Sequence, residues 1–124
     1  MIKFINLVIG GAAGTIARYL LAGVVYRFTG TGFPYGTLVV NISGCFILGF
    51  LASLSDKKFM LGPDARLLLM IGFCGAFTTF SSLIFETDNL VRDGQAIRAF
   101  TNIFASVILG FILFRVGSFI GETI

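Results

Sequence analysis

The stretch Gly72-Phe-Cys-Gly-Ala-Phe-Thr-Thr-Phe-Ser-Ser82 places two glycines, two threonines and two serines inside a long apolar run. Glycine and β-branched residues weaken a helix, and Ser or Thr side chains can satisfy the backbone groups that a break leaves free. We therefore expect a helix that is broken near Gly75–Thr79. Broken membrane helices often form ion sites at mid-depth, whereas a glycine kink that serves only packing is the alternative interpretation.

Apolar stretches recur along the whole chain. A helix needs about 20 apolar residues to cross the bilayer core, and four stretches meet that requirement: Phe4–Tyr26, Thr37–Leu54, Arg66–Thr87 and Ala99–Ile120. The connections between them are short and contain turn-forming residues. The first stretch is too long for a signal peptide, so we expect it to remain in the protein. The sequence predicts an all-α membrane protein with a single four-helix domain over residues 1–124.

The composition indicates a surface that faces lipid. Hydrophobic residues make up 56% of the chain and charged residues only 12%, whereas soluble domains carry about 25% charged residues. The nine Lys and Arg residues are scattered and form no basic stripe, so no nucleic-acid partner is expected. There is no histidine, and Cys45 and Cys74 are too few for a zinc site or a disulfide framework. The spans contain no nucleophile–base pair, so we expect no enzyme.

Positive charges are divided almost evenly between the two sides of the membrane. Five lie on the side of the N-terminus and three on the other; they are Lys3, Lys57, Lys58, Arg66 and Arg115, then Arg27, Arg92 and Arg98. Loops rich in Lys and Arg normally stay in the cytoplasm. This small difference is compatible with insertion in both orientations, which would give an antiparallel homodimer. A single orientation, set by a few charges or by a partner, is an equal alternative.

Polar and small residues share helix faces in the first and second stretches. Gly11, Gly14, Thr15 and Arg18 lie on one face of the first stretch. This small-residue face includes the pair Gly10-xxx-Gly14, on which another backbone can approach closely. Arg18 either points into the protein or reaches the interface with its long side chain. In the second stretch, Thr37, Asn41, Gly44 and Leu48 share a face. Asn41 either cross-links two helices or contacts a solute.

The third and fourth stretches carry two further polar faces. Thr79, Ser82 and Glu86 lie on one face of the third, and Arg98, Asn102, Ser106 and Gly110 recur every four residues in the fourth. The stripe in the fourth stretch has hydroxyl and amide donors and no acidic group, which suits an anion or a hydrogen-bonding solute better than a cation, although packing by small residues is a competing explanation. An aromatic ring has a positive edge, so Phe80 could face an anion, but most Phe residues in membrane helices simply pack.

Taken with these residues, the sequence resembles the CrcB/Fluc family of fluoride channels. The resemblance covers nearly the whole chain and rests on three motifs: Gly10-Gly-Ala-Ala-Gly-Thr-Ile-Ala-Arg18, Gly36-Thr-Leu-Val-Val-Asn41, and Gly72-x-x-Gly-x-x-Thr-Thr-Phe-Ser81 followed by Glu86. It implies an antiparallel, dual-topology homodimer in a prokaryotic plasma membrane, with two pores along the subunit interface. It also implies passive export of fluoride and a structural sodium ion where the two broken third helices cross.

The resemblance assigns roles to individual residues. The sodium ligands would be the backbone carbonyls of Gly75 and Thr78, and Arg18 would lie near a vestibule at the pore entrance. The residues implied for the fluoride pore are Thr37, Asn41, Thr79, Phe80, Ser81, Ser82, Glu86 and Ser106. One position departs from the family pattern, because Leu83 stands where a second pore Phe is expected. Phe85 lies about 200° away around the helix and cannot replace that ring.

Two other classes of protein remain as alternatives. A small multidrug-type transporter would need a carboxylate in its first membrane helix, but the first acidic residue of this chain is Asp56, in a predicted loop. A non-transporting structural subunit of a larger membrane complex would have a fully packed polar stripe and would carry no ions alone. The predicted break in the third helix argues against this second alternative.

Overall fold

The computed structural model describes all 124 residues and contains four long helices. We call them the first to fourth spans; they are Ile2–Thr29, Tyr35–Asp56, Pro63–Arg92 and Ala96–Thr123. Each is long and apolar enough to cross a membrane, and each contains one of the four predicted stretches. The prediction of an all-helical protein with four membrane spans is confirmed.

The exterior of the helix bundle is strongly apolar. Only 21 of the 124 residues are buried within the chain, and large hydrophobic side chains such as Phe4, Val8, Phe104 and Phe111 are exposed along the spans. A water-soluble protein does not expose a continuous apolar surface of this kind. The fold is therefore that of a multi-pass membrane protein, with lipid as the solvent of most side chains.

The second and fourth spans run parallel and approach each other closely. Ser53 Oγ lies 2.8 Å from Ser118 Oγ, 65 positions later in the chain. A Cβ at Gly49 would overlap the carbonyl group of Phe114, and a Cβ at Gly117 would overlap the carbonyl of Phe46. Glycine is required at both positions because the backbones are nearly in contact. This parallel register places residue 106 at the level of residue 41.

The first span packs against the first half of the third. Gly10 and Gly14 are buried, and a Cβ at Gly14 would overlap the carbonyl of Phe73. The small-residue face predicted for the first span therefore corresponds to a close approach made by Gly10 and Gly14, whereas Gly11 has open space beside it.

The third span is not a uniform α-helix. A short turn, Pro63–Ala65, leads into a π-helical segment, Arg66–Cys74, and a further α-helical turn, Gly75–Phe77. Thr78 and Thr79 have extended backbones, and an α-helix resumes at Phe80–Arg92. The sequence predicted an ordinary helix before residue 75. The π-helical segment has no sequence signature, because its consecutive Leu and Met residues suit either helix type.

Candidate functional site

The extended residues Thr78 and Thr79 are held by the second span. The φ and ψ angles are −86° and 156° at Thr78 and −149° and 112° at Thr79. The Asn41 side chain binds both backbone groups of Thr79: its Oδ1 accepts from the Thr79 N–H at 2.7 Å, and its Nδ2 donates to the Thr79 carbonyl at 3.0 Å. Asn41 therefore cross-links the second and third spans, and one of its amide hydrogens has no partner within the chain.

The helix after the interruption begins with a hydroxyl cap. Thr79 Oγ1 accepts the backbone N–H of Ser82 at 3.2 Å and donates to the Ser82 hydroxyl at 3.0 Å. This is the usual way in which Thr satisfies a free N–H at a helix N-terminus. The Ser81 hydroxyl lies 3.4 Å from Thr79 Oγ1. Three hydroxyl groups thus follow one another along the start of this helix, and the hydrogen of Ser82 Oγ is available to a further acceptor.

Two carbonyl groups at the interruption lose their helical donors. In a continuous helix, the N–H of Thr79 would donate to the Gly75 carbonyl and that of Ser82 to the Thr78 carbonyl. Here the Thr79 N–H donates to Asn41 and the Ser82 N–H donates to Thr79 Oγ1. Gly75 is exposed, with open space where a side chain would be. The residues predicted to hold sodium therefore have carbonyl oxygens of the kind that a hard cation prefers.

Arg18 contacts the same region from the first span. Its Nε donates to the Ala76 carbonyl at 3.0 Å. Ala76 lies in the turn Gly75–Phe77, whose C-terminal carbonyls carry partial negative charge. The side chain is half-buried and points into the protein, which was one of the two orientations expected from the sequence.

Thr37 and Glu86 lie together at the far end of the hydroxyl series. Thr37 Oγ1 donates to Glu86 Oε1 at 2.5 Å, and the Tyr26 hydroxyl donates to Glu86 Oε2 at 3.1 Å. Thr37, Thr79 and Ser82 line one cavity of about 570 Å³ between the first, second and third spans, and Arg18 lies in its wall. The structure thus brings together five predicted site residues around this cavity or at its edge.

The fourth span contributes Ser106 and Asn102. Both are buried, and the Ser106 hydroxyl has no hydrogen-bond partner. The register of the second and fourth spans puts Ser106 at the level of Asn41. Asn102 Nδ2 instead donates to Thr87 Oγ1 at 2.9 Å, so Asn102 joins the third and fourth spans.

Phe80 and Leu83, the two positions of the aromatic pair expected from the family pattern, face different directions. Phe80 is 75% exposed at the surface of the chain, whereas Leu83 is only 6% exposed and packs inside it. Phe85 is also exposed. Phe80 and the exposed Ser81 do not line the cavity that contains Thr37, Thr79 and Ser82.

The comparison with known proteins identifies the family. A family described as CrcB-like protein, Camphor Resistance (CrcB), matches residues 5–118.

This chain belongs to the CrcB family.

Curated relatives match between 73% and 100% of this chain. The fluoride-specific ion channel FluC of Desulforapulum autotrophicum is 44% identical over 122 residues, which are 98% of each chain. FluC of Maridesulfovibrio salexigens is 43% identical over 124 residues, covering 100% of this chain and 98% of the relative. FluC of Chlorobaculum tepidum is 53% identical over 90 residues, covering 73% and 71%. The family is one of ion channels and not of enzymes.

Tyr26 is the site residue that the sequence did not single out. It lies near the end of the first span, 60 positions before Glu86, and aromatic residues are common at that depth in any membrane helix. The Tyr26 ring packs on Gly36, where a Cβ would overlap the ring. Gly36 is therefore the one sequence feature that is related to the position of Tyr26.

Proposed function

We propose that this CrcB-family protein is a fluoride-selective channel through which fluoride leaves the cell passively, down its electrochemical gradient. The relatives named fluoride-specific ion channels support this function. The observation that carries it is the set of donors around the interruption of the third span: the free amide hydrogen of Asn41, the hydroxyls of Ser81 and Ser82, and the unpartnered hydroxyl of Ser106.

These donors suit a small, strongly hydrated anion. Such an ion enters a pore only where short hydrogen bonds replace its water, and it leaves only where no site binds it too tightly. Neutral Ser, Thr and Asn donors meet both conditions because they carry no full positive charge. Arg18, the cation nearest to the interruption, already donates to the Ala76 carbonyl. The proposed pore residues are Thr37, Asn41, Thr79, Phe80, Ser81, Ser82, Glu86 and Ser106, with Arg18 at a vestibule.

The proposal includes an antiparallel, dual-topology homodimer with two pores. Its support is the exposed backbone at Gly75, whose carbonyl lacks its helical donor. Irregular backbone at membrane depth is tolerated only where protein or a water-filled cavity covers it. A second copy of the chain that crosses here would cover Gly75 and would bring Phe80 and Ser81, now exposed, into the protein interior. We propose that the third span acts as a broken helix at this crossing.

A structural sodium ion forms part of the same proposal. The carbonyl oxygens of Gly75 and Thr78 would hold it, one pair from each subunit. A cation at this point would neutralise partial negative charge on four carbonyl groups that have no helical donor and would so stabilise the dimer. The membrane in which the dimer acts is proposed to be the plasma membrane of a prokaryote.

Fluoride efflux from proteoliposomes tests the function. We expect purified protein, reconstituted at low density, to release fluoride rapidly when a potassium ionophore balances the charge, and to release little chloride under the same conditions. Protein that is folded and dimeric yet releases no more fluoride than empty vesicles would contradict the proposal and favour a structural subunit. Equal release of both anions would contradict selectivity. Release that requires a proton gradient would favour a coupled transporter.

A further inference from the structure

Two cavities meet at the Tyr26 side chain. The inner cavity, about 570 Å³, is the one lined by Thr37, Thr79 and Ser82. An outer cavity of about 420 Å³ opens among the loops and is lined by Glu86, Asn89 and Arg92. Tyr26 belongs to the walls of both. Tyr26 and its hydrogen-bond partner Glu86 therefore lie at the boundary between the two cavities.

The Glu86 carboxylate is fixed at the same point by two hydroxyl groups. Tyr26 donates to one of its oxygens at 3.1 Å and Thr37 donates to the other at 2.5 Å. Both donors come from one small region, because the Tyr26 ring packs on Gly36, the residue next to Thr37. A side chain at position 36 would displace the ring and with it the hydroxyl.

We propose that Tyr26 is a positioning residue of the ion pathway, which holds the Glu86 carboxylate at the boundary between the outer and inner cavities. This inference rests on the proposed function. A carboxylate in this place repels an approaching anion and occupies the Thr37 hydroxyl that the anion could use. Fluoride therefore passes when the carboxylate moves away from its two donors, and the Tyr26 hydrogen bond stabilises the position in which it blocks the path.

The variant Tyr26→Phe removes the hydroxyl and keeps the ring on Gly36. Hydrogen bonds to charged groups are among the stronger ones. Loss of the bond from Tyr26 to Glu86 should therefore raise the rate of fluoride efflux about threefold to tenfold. Tyr35→Phe is the matched control, since the Tyr35 ring packs beside Phe33 and its exposed hydroxyl makes no hydrogen bond within the chain. That control should leave the rate unchanged. An unchanged or reduced rate in Tyr26→Phe would overturn the inference.

A double-mutant cycle separates positioning from simple packing. In a Glu86→Ala background there is no side-chain acceptor to hold, so Tyr26→Phe should have no further effect on efflux. The same rise in both backgrounds would show that Tyr26 acts independently of Glu86 and would overturn the inference.

Infrared spectroscopy tests the contact without any flux measurement. The carboxylate stretching band that Glu86→Gln removes should shift in Tyr26→Phe and stay in place in Tyr35→Phe. A band that does not shift would overturn the inference even if fluoride flows. If the wild-type protein carries no fluoride but Tyr26→Phe shows the shift, the proposed function is refuted and Tyr26 remains assigned as the residue that holds Glu86.

Discussion

At the scale of single residues, the site is characterised by hydrogen bonds that are only partly complete. Buried polar groups normally find partners, because an unpaired donor or acceptor away from water costs about 1–3 kcal/mol. Ser106 is 8% exposed and Ser55 is 1% exposed, and neither hydroxyl has a partner. Ser106 lies at the level of Asn41 in the proposed pore, whereas Ser55 lies near the end of the second span. A passing anion would accept a hydrogen bond from Ser106 but would not reach Ser55.

Replacement of Ser106 therefore distinguishes a pore residue from a packing residue. We expect Ser106→Ala to lower the rate of fluoride efflux about tenfold, since one hydrogen bond to the anion is lost. Stability in detergent should be retained, because no bond within the chain is broken. Ser55→Ala is the control and should leave the rate of efflux unchanged. Unchanged efflux in Ser106→Ala would remove this serine from the pathway.

Some residue contacts could be expected from the sequence and others could not. An amide such as Asn41 in the middle of an apolar helix must find a partner, and cross-linking was one of its two predicted roles; its remaining hydrogen leaves a contact with a solute possible as well. The Tyr26 contact with Glu86 could not be predicted from the sequence, because it depends on how the ends of two distant spans pack together. Helical spacing relates residues within a span and says nothing about such a meeting.

At the scale of helices, the length of the apolar runs explains why the four spans could be predicted from the sequence. The four spans follow from apolar runs of about 20 residues, and the structure extends each by a few residues into the loops. The π-helical segment Arg66–Cys74 was not predicted, because side-chain periodicity in a run of Leu and Met does not distinguish helix types. Between residues 75 and 79 the sequence predicted a break, and the helical dihedral angles end at Phe77.

The carbonyl groups at this interruption give a prediction about cations. We expect the purified protein to unfold at a higher temperature in sodium chloride than in N-methylglucamine chloride of equal concentration, because an ion that binds only the folded dimer stabilises it. Potassium chloride at the same ionic strength is the control, because it shows whether the stabilisation is specific to sodium or is produced by another small cation. Equal unfolding temperatures in all three salts would contradict the proposed sodium site at Gly75 and Thr78.

At the scale of the whole molecule, a single chain leaves backbone and polar groups exposed at the depth of the membrane. Gly75 exposes backbone at membrane depth, and Phe80 and Ser81 beside it face outward. The near balance of positive charge on the two sides allows two copies to insert in opposite senses. A partner was expected from the sequence because four helices are too few to enclose a water-filled path. The position proposed for that partner could be inferred only from the structure, where Gly75 is exposed.

Labelling of a single introduced cysteine tests the two orientations. Gly62 lies in an exposed loop with open space around it, whereas Cys45 and Cys74 are free thiols within the spans. In intact cells, a membrane-impermeant maleimide should label about half of the copies of Gly62→Cys, as equal insertion in both senses requires. Permeabilised cells provide the control and should be labelled fully. Complete labelling or complete protection in intact cells would establish one orientation.

The contact between Tyr26 and Gly36 also limits the order in which this protein can change during evolution. A Cβ at position 36 overlaps the tyrosine ring, so a lineage that acquires a side chain there first passes through a damaged intermediate. Loss of the ring first opens the space and makes the second substitution harmless. Positions 26 and 36 are therefore expected to co-vary among descendants of this sequence, with the aromatic residue replaced before the glycine.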